Sequence, residues 1–128
     1  MNKEQYVSFE VAKLLKEKGF DWECDSWTAE YITGVELHTG MERRNYNDDS
    51  VSLYDGLFSA PTQQLACRWL REEKKIHLEL EFCVDDEFSF SIFQIDGKRT
   101  FLYQENRYWK KAEDAVDAAL LYVIQNLI

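Results

Sequence analysis

Five side chains in this sequence have the chemistry of transition-metal ligands, and their spacing argues against a metal site. They are His38, His77, Cys24, Cys67 and Cys83. Zinc sites normally place paired Cys or His ligands two to four residues apart. No two of these five residues fall within that spacing. We therefore predict no metal site and no cofactor, and free thiols in a reducing compartment.

Nucleophilic catalysis is not indicated either, because a cysteine nucleophile needs a base within hydrogen-bond reach. His77 and Cys83 lie on the same face of one predicted strand, where six residues span roughly 20 Å. Cys67 falls on a predicted helix and would need a histidine brought near it by the fold, which the sequence does not show. No glycine-rich phosphate loop or Gly-x-Ser-x-Gly turn occurs, since the five glycines are scattered singly. We predict no catalytic residues.

Carboxylates crowd the first predicted hairpin of the second half, at Glu79, Glu81, Asp85, Asp86 and Glu87. Paired carboxylates can do acid–base work or hold a divalent ion. A calcium loop needs a glycine within its ligand series, and the Asp-Asp-Glu run has none. We interpret these charges as a solvated surface that also protects an exposed strand from pairing with other chains.

A segment from Arg99 to Lys111 interleaves aromatic rings with cations, as single-stranded nucleic acid binders do. The rings are Tyr103, Tyr108 and Trp109, and the cations are Arg99, Arg107, Lys110 and Lys111. The alternative is that Trp109 and Phe101 pack under the last helix while the cations stay in water. The chain carries 15 Lys and Arg against 24 Asp and Glu, a net charge of −9. We favour the packing interpretation, since phosphate binding requires clustered cations.

The second half predicts three strands and a helix. Apolar residues alternate with polar ones from Ile76 to Val84, which is typical of a strand with one buried face. A turn leads to a strand over Phe88 to Ile95, and Asp96-Gly97 predicts a two-residue type I′ hairpin turn. Arg99 to Gln104 returns as a third strand. A helix then begins near Lys111, with its apolar residues at helical spacing.

The first half is less regular. We predict a helix over Asn2 to Lys18, capped by Asn2 and ended by Gly19. Trp27 to Leu37 predicts one strand with a bulge or break near Gly34. The polar segment 40–50 is expected to be mobile, and residues 52–58 to form a short irregular segment. A second helix follows over Pro61 to Lys74.

These elements predict a single α+β domain over residues 1–128, in the order α-β-α-β-β-β-α. The expected architecture is one antiparallel sheet of about four strands with helices on one face. No stretch approaches the ~18 apolar residues of a membrane span, and the charged N-terminus does not fit a signal peptide. We expect a cytoplasmic protein with no membrane partner, and the net charge of −9 disfavours a nucleic acid partner.

One face of the predicted sheet is left for a partner. Phe93 and Ile95 alternate out of phase with Phe88, Phe90 and Ile92, so the middle strand is apolar on both faces. If helices cover one face, the other keeps apolar area for a homodimer or another protein. The predicted interaction surface comprises Glu79, Glu81, Asp85, Asp86, Phe93, Arg99, Tyr103 and Tyr108.

Two stretches carry a resemblance to known sequences. One is Phe9 to Phe20, and the other is Ala60 to Gln64 followed by Trp69-Leu70-Arg71-Glu72 and Ile76-His77. With the segment from Tyr108 through the alanine-rich helix, they resemble a group of small uncharacterised proteins of bacteriophages and prophages of gut bacteria. The resemblance implies a genetic setting, an accessory gene of a mobile element. It implies no activity, cofactor or catalytic residue.

Three functional hypotheses follow. The first is a non-enzymatic interaction module that binds a host or phage protein through its acidic surface or an apolar sheet face. The second is a small-ligand-binding protein or enzyme with a site at the helix–sheet edge, using residues such as His77, Glu79 or Tyr103. The third is weak single-stranded nucleic acid binding through Arg99–Lys111.

Overall fold

The computed structural model describes residues 5–48 and 56–128. The chain divides into two compact units, Met1–Thr62 and Gln63–Ile128, and each contains a three-stranded antiparallel sheet. The predicted α+β class is confirmed, and the single sheet of about four strands is wrong. The extended segment of the first half does not join the later strands, because it folds back and pairs with its own neighbours.

In the first unit, helix α1 spans Phe9–Glu17 and begins later than predicted. Ser8 is its N-cap, since its Oγ accepts a hydrogen bond from the Val11 N–H at 3.3 Å. The predicted cap, Asn2, lies outside the described residues. The predicted end is confirmed: Gly19 has a φ of +89°, which suits glycine after a helix.

The sheet of the first unit has the order β2-β1-β3, with β1 Trp27–Tyr31, β2 Gly34–His38 and β3 Leu57–Ser59. The single strand predicted over Trp27 to Leu37 is therefore corrected to a hairpin. Its break is a turn, and Gly34 supplies the left-handed backbone there with a φ of +130°.

Part of the polar segment predicted to be mobile is fixed against this unit. Tyr46 is buried, and the Asn47 side chain accepts from the Ser59 N–H at 2.8 Å and donates to the Phe20 carbonyl at 2.9 Å. These bonds hold Asn47 against Phe20 and Ser59. The rest of that segment, from residue 49 onward, lies outside the described residues.

The second unit confirms the predicted three-stranded meander, with β4 Ile76–Cys83, β5 Glu87–Ile95 and β6 Arg99–Gln104 in the order β4-β5-β6. The turn between β5 and β6 has three residues, Asp96 to Lys98, instead of the predicted two. Only Gly97 in it has a left-handed backbone, with a φ of +71°. A type I′ turn needs two such residues.

Helices α2 Gln63–Lys74 and α3 Ala112–Asn126 cover one face of this sheet. Phe90 and Ile92 of β5 are fully buried beneath them. Ile76 of β4 is also buried, and the helices contribute the other buried apolar residues of this core, which are Ala66, Trp69, Leu70, Ala115, Ala119, Leu120, Val123 and Ile124. Among the described residues, no helix is long and apolar enough to cross a membrane.

Candidate functional site

A groove of about 500 Å³ opens between α2, β4 and α3 of the second unit. Its apolar floor is formed by Leu78 and Leu80 of β4 and Val116 of α3. One wall is polar and comes from α2, through Gln63, Gln64, Cys67, Arg68 and Arg71. We call this concavity the α2–β4 groove.

Helical spacing and one chain reversal create the groove. Gln63, Cys67 and Arg71 are four residues apart on α2 and therefore lie on one helix face. The Gln63 Nε2 donates to the Glu113 carbonyl of α3 at 2.8 Å, which ties the start of α2 to α3. Lys75 reverses the chain after α2 with a φ of +59°, so that β4 runs back along the helix.

The groove is cationic within an acidic protein. None of the described residues that line it is acidic, although the second unit carries twelve Asp and Glu against nine Lys and Arg. Arg68 pairs with Glu72 at 3.0 Å on the exposed helix surface. Arg71 has no ion pair with any residue of the described ranges. Its charge is available to a group that enters the groove.

Cys67 does not have the environment of a reactive thiol. Burial raises its pKa to about 11, and the nearby Arg71 guanidinium opposes this shift only in part. Because the thiolate is the nucleophilic form, a thiol with this pKa is almost entirely protonated at neutral pH. The groove therefore suits binding better than thiol chemistry.

The floor of the groove continues into exposed apolar residues of β4 and of the turn that follows it, where Val84 is the first residue. Leu80 is 39% exposed, Phe82 69% and Val84 84%. We call these three residues the β4 apolar strip. Leu80 and Phe82 share the helix-side face, since strand residues two apart point the same way. The Phe82 ring packs against the Phe88 ring, with 5.4 Å between ring centroids.

An acidic turn follows the strip. Asp85 and Asp86 have φ values of 61° and 55°, the left-handed region that aspartate tolerates better than most residues. Both are exposed, and neither forms an ion pair with a described residue. The strip is thus flanked by arginines near one end of β4 and by aspartates at the other.

Four residues of the predicted interaction surface lie together on the sheet face opposite the helices. The Arg99 guanidinium stacks on the Phe93 ring, 3.8 Å from its centroid, and forms an ion pair with Glu79. Glu81 accepts from the Gln104 Nε2 at 2.7 Å. The charged groups named here are therefore already paired, beside the exposed ring of Phe101 on the same face.

The other four residues of that predicted surface lie elsewhere. Asp85 and Asp86 form the hairpin turn, and Tyr108 is exposed beyond β6. Tyr103 lies on the helix side of the sheet, where it stacks on Tyr122 of α3 with 3.8 Å between ring centroids. His77 and Glu79 lie on the opposite face, so the three residues named for a ligand site do not converge.

The segment Arg99–Lys111 keeps few cations for nucleic acid. Arg107 pairs with Glu105 at 3.1 Å, and Lys110 pairs with Glu87 at 3.2 Å. Trp109 stacks on Phe90 with 5.7 Å between centroids, as the packing interpretation predicts. Phe101 was expected under the last helix as well, but it is 57% exposed and contacts Phe93 on the other face of the sheet.

No metal-ligand cluster is found in the part of the chain that the structure describes: no three His, Cys, Asp or Glu side chains converge there. The groove residues were not predicted as a site. The alternation from Ile76 to Val84 predicts one buried face for this strand, but it does not show how far the helices cover that face. The polar helix residues at four-residue spacing were the available signal.

Comparison with known proteins gives no relative. No protein-family model matches the chain, no curated protein matches it significantly, and no solved structure matches it significantly. The geometry of the groove and strip is therefore the basis of the functional proposal.

Proposed function

We propose that this protein is an interaction module that binds another protein chain through the α2–β4 groove and the β4 apolar strip. The observation that carries the proposal is the continuity of the two: Leu80 lines the groove and also begins the exposed strip. Exposed apolar residues scattered singly are normal on proteins, whereas contiguous ones at a concavity mark interaction sites.

The proposed surface has the parts of a protein interface. Phe82 supplies a large aromatic side chain, and such side chains contribute much of the apolar area that interfaces bury. Arg71 supplies a guanidinium, which pairs with carboxylates in a fixed geometry. The apolar centre with charges at its ends resembles the core and rim of an interface.

The sheet face opposite the helices supports the proposal less well. Its main cation, Arg99, is already paired with Glu79 and stacked on Phe93. A partner that formed an ion pair with Arg99 would have to displace both contacts. We therefore propose the helix side of the sheet, instead of the predicted opposite face, as the interaction surface. The predicted function, protein–protein interaction, is unchanged.

The setting we propose is the one implied by the sequence resemblance, an accessory gene of a phage or mobile element acting in a bacterial cytoplasm. A host or phage protein is then a proposed partner class. The proposal does not require catalysis or a cofactor.

Site-specific photo-crosslinking in bacterial cells tests the proposal. A photoreactive phenylalanine analogue placed at Phe82 should form a discrete protein adduct, and the same analogue at Phe101 should not. Phe101 is a matched control because it is an exposed aromatic residue of the same sheet, 57% against 69% exposed.

A second pair of variants locates the contact. Leu80→Asp should abolish the Phe82 adduct, since a buried charge in an apolar interface is costly. Leu102→Asp should leave it intact, because Leu102 is 37% exposed, close to the 39% of Leu80, but does not line the groove. The absence of a discrete adduct at Phe82 would contradict the proposal.

The groove also favours a second candidate, a small amphipathic carboxylate. Its volume of about 500 Å³ falls within the roughly 300–1,000 Å³ of small-molecule sites, and Arg71 faces an apolar floor.

Decanoate should then raise the melting temperature of the wild type, and decanol should do so less. Arg71→Gln should remove the difference and Lys111→Gln should keep it; equal shifts in all cases would exclude this candidate.

A further inference from the structure

The β4 apolar strip and the α2–β4 groove complement each other within one chain. The groove has an apolar floor beside Arg68 and Arg71, and the strip is apolar and followed by Asp85 and Asp86. The apolar floor would contact the apolar strip, and the arginines of the groove would pair with the aspartates that follow the strip. We infer that the occupant of the groove is the strip of a second copy of this chain, in a two-fold symmetric dimer.

The direction of β4 makes this arrangement symmetric. Since β4 runs back along α2, Arg71 lies near the start of β4, and Asp85 and Asp86 follow its end. A two-fold axis near Leu80 reverses the direction of the second strand. It therefore brings the acidic end of each copy to the arginine end of the other, and every contact is made twice.

The apolar contacts agree with the same axis. Residues 78 and 82 lie at equal distances on either side of Leu80, so Phe82 of one copy would face Leu78 of the other. Phe82 would enter the neighbour's groove and lose most of its 69% exposure. The exposed end of one sheet would then be covered by α2 of the partner copy.

The unpaired charges favour a second copy over an unrelated chain. Arg71, Asp85 and Asp86 have no ion-pair partners within the described ranges, and the dimer would pair them across the axis. An unrelated partner would have to provide both an acidic group for Arg71 and a basic group for the aspartates. A second copy provides both at the required spacing.

This inference rests on the proposed function, and sedimentation of the full-length protein tests it. The wild type should form dimers whose fraction rises with concentration. Phe82→Asp should weaken dimerisation at least ~tenfold, as truncation of a central anchor does, and the control Phe101→Asp should not. A wild type that stays monomeric from micromolar to millimolar concentration would overturn the inference.

Charge reversal tests the pairing of the two ends. Arg71→Glu alone and Asp85→Lys with Asp86→Lys should each weaken self-association by ~tenfold or more, since like charges then meet. An equimolar mixture of these two variants should dimerise again, because each end then faces an opposite charge. Two folded variants that do not associate when mixed would overturn the inference.

The outcomes separate this inference from the proposed function. A monomeric wild type whose Phe82 analogue crosslinks a different protein overturns the dimer and leaves the interaction module intact. Dissociation by Phe101→Asp to the same extent as by Phe82→Asp overturns the assignment of the groove, since the dimer would then use the other sheet face.

Discussion

The guanidinium of Arg107 donates two hydrogen bonds to the carboxylate of Glu105, from Nε to Oε1 at 3.2 Å and from Nη2 to Oε2 at 3.1 Å. The same carboxylate accepts from the N–H groups of Asn106 and Arg107 and from the Tyr103 hydroxyl. The Glu105 side chain is only 2% exposed. One buried carboxylate thus fixes the turn after β6, beside Tyr103 on the helix side of the sheet.

Glu105→Gln should therefore lower the free energy of unfolding by about 2 kcal/mol, the range for hydrogen bonds to charged groups. Glutamine keeps the shape of the side chain but turns one acceptor into a donor that faces donors. Glu87→Gln is the matched control, since the Glu87–Lys110 pair is more exposed and should cost less than about 1 kcal/mol. Equal losses in urea unfolding would contradict the assigned role of Glu105.

The same carboxylate predicts a pH dependence. The hydrogen bonds and charge of Arg107 hold the pKa of Glu105 below its ordinary value of 4.5, so the folded protein binds this proton less readily than the unfolded chain. The stability that Glu105 contributes is complete above that ordinary value and is lost as the pH falls through the lower folded pKa. The difference in unfolding free energy between wild type and Glu105→Gln should thus be constant near neutrality and shrink under acid conditions. A difference independent of pH would contradict this.

Local pattern predicted the second half of the chain well. The strands β4, β5 and β6 and helix α3 each carry a periodicity that is visible within their own residues. The prediction for the first half was wrong where strand pairing depends on residues that are distant in sequence. The residues from Trp27 form a hairpin that pairs on its other side with Leu57–Ser59. Gly34 indicated a break but did not show that the chain reverses there.

The sequence pattern does not show which face of the sheet the Tyr103 side chain occupies, because the pairing of β5 and β6 is irregular. Alternation places Phe101 and Tyr103 on the same face, because they are two residues apart. The ladder between β5 and β6 shifts register between Ile92 and Phe93, so that one extra residue, Leu102, separates the two aromatic residues. A bulge of this kind reorients side chains on one strand. Phe101 consequently contacts Phe93, whereas Tyr103 stacks on α3.

Cysteine reactivity should report on the groove. Because burial raises the pKa of Cys67 to about 11 from an ordinary value of 9.0, its alkylation rate should still be rising with pH where an ordinary thiol has levelled off. A variant retaining Cys67 as its one cysteine, labelled with iodoacetamide over a pH series, measures this. A variant retaining only Cys83 is the comparison. A Cys67 rate that levels off near pH 9 would contradict the described burial.

The reversal between α2 and β4 predicts a stabilising substitution. Lys75 adopts a φ of +59°, which costs a non-glycine residue about 1 kcal/mol, while its carbonyl accepts from the Ile95 N–H at 2.8 Å. Lys75→Gly keeps that backbone bond and removes the strain, at the cost of greater freedom in the unfolded chain and of the Nζ bond to the Glu72 carbonyl. We expect a net gain of about 0.5 kcal/mol in unfolding free energy.

Lys74→Gly is the matched control for that gain, since Lys74 ends α2 without a positive φ, so glycine there only adds freedom to the unfolded chain. Chemical denaturation of both variants beside the wild type should therefore show opposite signs at adjacent positions. The reversal also aligns β4 with α2, so Lys75→Gly should leave dimerisation unchanged while it raises stability. A loss of stability equal to that of Lys74→Gly would mean that position 75 does not have the left-handed backbone on which the groove depends.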